Sequence, residues 1–150
     1  LLAVLLGLLL VLSLPSLARS LAERKKRLDT DSRAIVMINE KPALWVRDNT
    51  PVNAVIAATD AGAARYLSGR FIIDRGGLNY SPIALKKETP DDVLKHADWL
   101  MEFTYFFTGQ KLAERFELQT TFSIPMAEYT ICNCPAQTEV VIAKAKKEGS

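Results

Sequence analysis

Histidine and cysteine are scarce in this 150-residue chain: one His and two Cys. A single histidine rules out a two-histidine zinc motif. Two cysteines are too few for a disulfide framework. The chain has no G-x-x-x-x-G-K-[ST] loop, no G-x-G-x-x-G fingerprint and no G-x-S-x-G elbow, so no nucleotide-binding or serine-hydrolase signature is present. Net charge is only +2, with the positive residues gathered after the first apolar segment and at the end. A nucleic-acid binder carries a larger excess of Lys and Arg on one face, and here no basic stripe is interleaved with aromatics. Internal repeats and low-complexity tracts are also lacking. The hydrophobic share of 49% and charged share of 24% fit one packed domain rather than a disordered chain.

What is present begins with a long apolar run. Residues 1–18, LLAVLLGLLLVLSLPSLA, carry no charge and no polar face. Eighteen helical residues span about 27 Å, close to the hydrocarbon thickness of a bilayer. The run is therefore expected to be a single transmembrane helix, an anchor retained in the protein. The rival expectation is a signal peptide cut after Ala18, since Ser16 and Ala18 have cleavage-site spacing and Pro15 breaks the helix before them. The chain starts without Met, so the run is expected to belong to a longer one.

Residues 19–33 follow as a basic juxtamembrane helix or linker. Arg24, Lys25, Lys26 and Arg27 are the expected contacts to lipid headgroups. By the tendency of basic flanks to stay on the cytoplasmic side, the soluble part leans to the cytoplasm, matrix or stroma. Leu14, Leu17, Leu21 and Leu28 fall at helical spacing, an apolar seam fit to pack on a partner or on the chain's own domain.

Residues 34–143 read as a small α+β domain, an antiparallel sheet packed on two helices, and 144–150 as a charged tail. The stretches AIVMI and ALWVR, around NEKP, suggest a hairpin. Thr50-Pro51 opens an expected helix that Gly69 closes. Ala54, Ala58 and Gly62 then lie four apart, a row small enough for close packing in the core or against a partner helix. A second hairpin is expected around Arg75–Gly77. A helix capped by Thr89 is expected to run to Gly109, with Trp99, Phe103 and Phe106 on a face that meets the core, a membrane or a partner. Alternation from Phe116 to Ile124 marks a strand, and further strands are expected at 128–132 and 138–143.

Chemistry-bearing residues are few. His96 lies four residues after Asp92, a spacing explained by a helix-surface charge pair rather than a metal site. Cys132 and Cys134 form a C-x-C at a strand-to-loop transition. They are weak metal candidates, because two thiolates do not complete a tetrahedral site, and a disulfide across one residue is strained. No catalytic residue and no cofactor is expected.

The reading that follows is a non-catalytic, single-pass, membrane-anchored accessory or scaffold subunit. Its plan is similar to that of subunits in secretion machines or bioenergetic complexes, a likeness of architecture only. Its expected partners are the lipid bilayer and other subunits of the complex, with no nucleic acid and no evident small-molecule substrate. The alternatives are a secreted or periplasmic binding domain behind a signal peptide, and a thiol or metal protein using Cys132 and Cys134.

Overall fold

The computed structural model describes residues 2–129 and 137–146. Its elements are α1 (Leu2–Ile35), α2 (Lys41–Asn49), β1 (Val55–Ala58), α3 (Ala61–Ser68), β2 (Phe71–Asp74), α4 (Ser81–Ala84), β3 (Trp99–Phe103), α5 (Thr104–Gly109), β4 (Phe116–Ser123) and β5 (Glu139–Ala145). The five strands form one sheet in the order β2-β1-β3-β5-β4. The α+β class holds, but the sheet is mixed: β1 is parallel to both β2 and β3, while β5 runs antiparallel to β3 and β4.

Side-chain alternation builds two cores, one on each face of the sheet. Ile56, Ala58, Trp99, Met101, Phe103, Val140 and Ile142 meet Ala34, Ile38, Val46, Ala61 and Ala64 from α1, α2, α3 and the turn between the first two. Ala57, Leu100, Val141 and Ala143 point the other way, onto Leu94, Ala97, Phe107 and Leu112. The sheet is thus a middle layer with helical segments on both sides.

The expected hairpin at 34–47 is instead helical. A π-helical turn, Val36–Glu40, joins α1 to α2. Pro42 has no N–H for the Ile38 carbonyl, and its ring crowds that carbonyl in an α-helix. The wider turn accommodates this, with the Lys41 N–H donating to Val36 O. Ala34, Ile38, Ala43 and Val46 are all buried, which supports one helical side over a β alternation. The expected helix from Thr50 to Gly69 is split. Thr50 ends α2, with its N–H and hydroxyl both donating to Val46 O, and β1 intervenes before α3. Gly69 does stop α3, at φ 64°.

The second expected hairpin keeps only its first strand. Gly77, at φ 77°, turns the chain after β2, but residues from Tyr80 onward form a helical turn, α4. The long helix expected from Thr89 to Gly109 is the largest departure. It is a 3-10 turn at Asp92–Lys95, then β3, then α5. All five residues of β3 are buried, as in a central strand covered on both faces. Such an apolar run has no period to separate it from a helix. Of the last strands, β4 and β5 form as expected; of the strand expected at 128–132, Glu128 ends a 3-10 turn over 126–128 and residues 130–132 lie outside the described residues.

Among the described residues, no helix is long and apolar enough to cross a membrane, so the transmembrane anchor expected over 1–18 is not supported. α1 does not stop at Ala18: it continues to Ile35 through Arg19, Glu23 and the basic cluster, and Ala34 enters the domain core.

Candidate functional site

The chain leaves β1 through α3 to reach β2 on one side. It then returns, through the segment containing the 3-10 turn at 92–95, to β3 on the other side of β1. The carboxyl ends of β1 and β3 are therefore a topological switch point, where open α/β sheets place ligands.

A charged cluster occupies this position. Glu102, on β3, and Arg75, just past β2, are both buried and form an ion pair. The Thr59 hydroxyl, just past β1, donates to the same Glu102 oxygen at 2.6 Å, and the Phe103 N–H donates to the other at 2.9 Å. Arg75 also donates to Gln110 Oε1 at 2.7 Å and to Pro90 O at 3.2 Å. Burial pushes the Glu102 carboxyl above its ordinary value, against Thr59, Arg75 and the Phe103 N–H, which all favour the anion. The loop after β2 is built on Asp74, whose two oxygens accept the N–H groups of Gly76 and Asn79, each at 2.8 Å. A Cβ on Gly77 would stand 2.6 Å from Ile83 Cγ2, so the loop admits only glycine there.

These groups are committed to one another. Glu102 accepts at both oxygens, Arg75 donates to three acceptors, and Asp74 closes its own loop. The cluster ties three parallel strand ends together. Beside it lies an open depression between α3 and this loop, lined by Gly62, Arg65, Tyr66, Asp74 and Asn79. The Thr104 hydroxyl, at the end of β3, is buried with no partner among the described residues.

A second polar clamp stands at the start of β2. Arg70 donates to Thr50 Oγ1 at 3.1 Å, to Thr50 O at 2.8 Å and to Ser68 O at 3.1 Å. The Thr50 carbonyl closes α2, so the cation sits where the helix dipole favours positive charge.

The residues singled out in the sequence do not gather at one place. Ala54 and Ala58 are buried in and before β1, whereas Gly62 is exposed on α3, so the four-residue row is not one helix face. Trp99 and Phe103 are buried on β3, and Phe106 is half-buried against the same core. Trp99 meets Trp45 edge to face, with ring centroids 6.1 Å apart. Arg24, Lys25, Lys26 and Arg27 are exposed on α1, with Arg27 3.7 Å from Asp31. Asp92 pairs with Lys95 and Thr89 rather than with His96, because a 3-10 turn brings residues three apart together, not four. Among the described residues, no group of three or more His, Cys, Asp or Glu is placed to hold a metal. Cys132 and Cys134 lie outside the described residues.

Arg75, Glu102, Thr59 and Arg70 were not legible as a set. One signal existed: Glu102 is a lone charge inside the apolar run WLMEF, where a buried carboxylate requires a partner. Which partner it has depends on strand order.

No curated protein and no solved structure matches this chain. A family model described as a domain of unknown function (DUF8728) matches residues 28–143, well over half of the chain. The chain therefore belongs to the DUF8728 family.

Proposed function

We propose that this chain is a non-catalytic accessory subunit of a multi-subunit membrane complex, attached to the bilayer through its leucine-rich start. The observation that carries this reading is the continuity of α1. The uncharged residues 2–18 lead, without a break in the helix, into Ala34, which is wholly buried in the domain core. A segment that lipid can hold is thus a rigid extension of the folded domain rather than a loose tether. The committed state of the switch-point charges supports the same reading, because they hold strands together rather than face a substrate. The basic residues Arg24 to Arg27, exposed just past the run, suit contact with anionic headgroups.

The test is to express the full chain in its native host and extract membranes with alkaline carbonate. The chain is expected to stay with the membrane pellet. In mild detergent it is expected to migrate well above its own mass on a native gel. A chain released by carbonate that runs alone as a monomer sinks the proposal. A mature protein starting at Arg19 by mass spectrometry favours the secreted binding domain instead.

A further inference from the structure

The two ends of the sheet differ in what they carry. β4 runs antiparallel to β5, and β5 antiparallel to β3, so β4 is parallel to β1, β2 and β3. The carboxyl ends of these strands therefore lie together, at the end that holds the Arg75–Glu102 pair. α1 joins the domain at this same end. Ala34 shares a core with Phe103, Ile124 and Val140, Asn39 donates to Asp60 just past β1, and Arg33 stands 3.5 Å from Glu128, past β4. Residues 21–29 are all exposed, so α1 leaves the sheet's end rather than lying along its face.

Exposed apolar side chains stand across this end. Leu78 follows β2 and is 91% exposed, Tyr105 follows β3 at 62%, and Met126 follows β4 at 63%. From β2 to β4 the strand order spans about 19 Å, at roughly 4.8 Å per strand. The loops that carry these residues are braced from within. The Gly77 and Asn79 N–H groups tie the Leu78 loop to Asp74, and Arg75 links Glu102 to Gln110, just past α5.

With residues 2–18 held in a bilayer, geometry limits what this end can meet. From Ala18 to Ala34, α1 rises about 24 Å. Helices held in bilayers tilt by up to about 40°, which still leaves the sheet's end roughly 18 Å above the hydrocarbon. Leu78, Tyr105 and Met126 lie about two residue steps, roughly 8 Å, beyond that end: the Leu78 loop is tied back to Asp74, and the others are two residues past Phe103 and Ile124. They stop short of the hydrocarbon and meet at most the headgroup layer, about 5–8 Å deep, which gives an apolar side chain no partner. A second copy fits no better. Two copies held in one bilayer both turn this end toward it, and neither can present it to the other. We infer that the carboxyl end of the sheet is a docking surface for the extramembrane loops of a membrane-embedded protein, loops that rise about 10 Å or more above the hydrocarbon and carry apolar side chains. The inference rests on the membrane attachment proposed above, and names the partner's class and the face it meets.

The test uses the full chain, with a photoreactive side chain placed at Leu78, at Tyr105, or at Val52, which is 79% exposed at the opposite end, before β1. Irradiation in native membranes is expected to join positions 78 and 105 to one protein that resists carbonate extraction even in cells lacking this chain, and to leave position 52 unjoined. Leu78→Glu is expected to weaken co-purification with that protein by about tenfold, as for one buried leucine. Leu78 is exposed, and circular dichroism checks that the variant keeps its fold. Products with lipid or with a second copy, equal yields from position 52, or no products at all overturn the inference. In nanodiscs holding the chain alone, a fluorescent side chain at position 78 is expected to transfer energy to a headgroup-labelled lipid more strongly than one at position 52. The reverse order overturns the orientation. Carbonate extraction reads the membrane attachment separately. A chain kept in the pellet with its Val52 end nearer the lipid keeps the attachment and loses the docking face.

Discussion

Arg75 reaches across β1 to Glu102. Strand β1 lies between the strands that carry or precede these residues, and Thr59, at the end of β1, bonds the same carboxylate. One acidic group therefore fastens three parallel strand ends.

Removing the cation alone leaves a buried, uncompensated carboxylate. Arg75→Met is expected to destabilise the domain by about 3–5 kcal/mol. Adding Glu102→Leu to that variant is expected to recover part of the loss, because no buried charge then remains. Urea denaturation of the two variants measures this. A double variant less stable than Arg75→Met speaks against the bridging role.

Glu102 and Asp92 are expected to titrate in opposite directions. Burial raises the folded Glu102 value, so the native state holds that proton more tightly than the unfolded chain. Its contribution to stability is full below the ordinary carboxyl range and is lost as pH rises through the folded value. Asp92 is lowered by its bond from Lys95, then by those from Thr89. Its contribution is present above the ordinary value and is lost as pH falls through the folded one. Carbon-detected NMR titration of the two carboxyls checks both signs, and a Glu102 midpoint below that of a model Glu peptide contradicts the first.

Gly77 and Gly62 are expected to respond oppositely to alanine. At Gly77 a Cβ collides with Ile83 at 2.6 Å, on a backbone of φ 77°. Gly77→Ala is expected to cost about 1–3 kcal/mol. Gly62 lies inside α3 with nothing within 4 Å of an added Cβ. Gly62→Ala is expected to stabilise by about 0.5–1 kcal/mol, the helix-propensity difference. Thermal melts decide both, and a destabilised Gly62→Ala points to a contact absent from the chain itself.

Trp99 is wedged between Trp45 and the Lys144 ammonium, which lies 5.6 Å from its ring centroid. Trp99→Ala is expected to cost about 3–5 kcal/mol by opening a cavity in the core. Lys144→Met, at an exposed site, is expected to cost only about 0.5–1 kcal/mol and to change the tryptophan emission, since the chain's two tryptophans both sit in this contact. An unchanged spectrum in that variant argues against the cation-π geometry.

Local chemistry was legible where it acts locally. Gly69 ends α3 in the left-handed region, as its place after a periodic segment implied. Thr89 does cap a turn, its hydroxyl accepting the Asp92 N–H, though the long helix expected behind it does not form. The alternation from Phe116 becomes β4, though its register shifts between Leu118 and Thr120. Where the pattern failed, two structures satisfied the same residues. WLMEF suits a buried helix face as well as a central strand, and AIVMI with ALWVR suits strands by composition yet packs as helix around Pro42.

Composition and short-range spacing determined the α+β class, the stop at Gly69, the turn after β2 and a helical spacing of leucines beside a basic cluster. These follow from backbone sterics and side-chain period, which neighbouring residues set. Only the tertiary structure decided the parallel core of the sheet, the splitting of two expected helices by β1 and β3, and the partner of Glu102. Those outcomes depend on which distant segments bury one another. Between Arg75 and Glu102 lie 26 residues, and their pairing is favourable only once β1 stands between their strands and water is excluded.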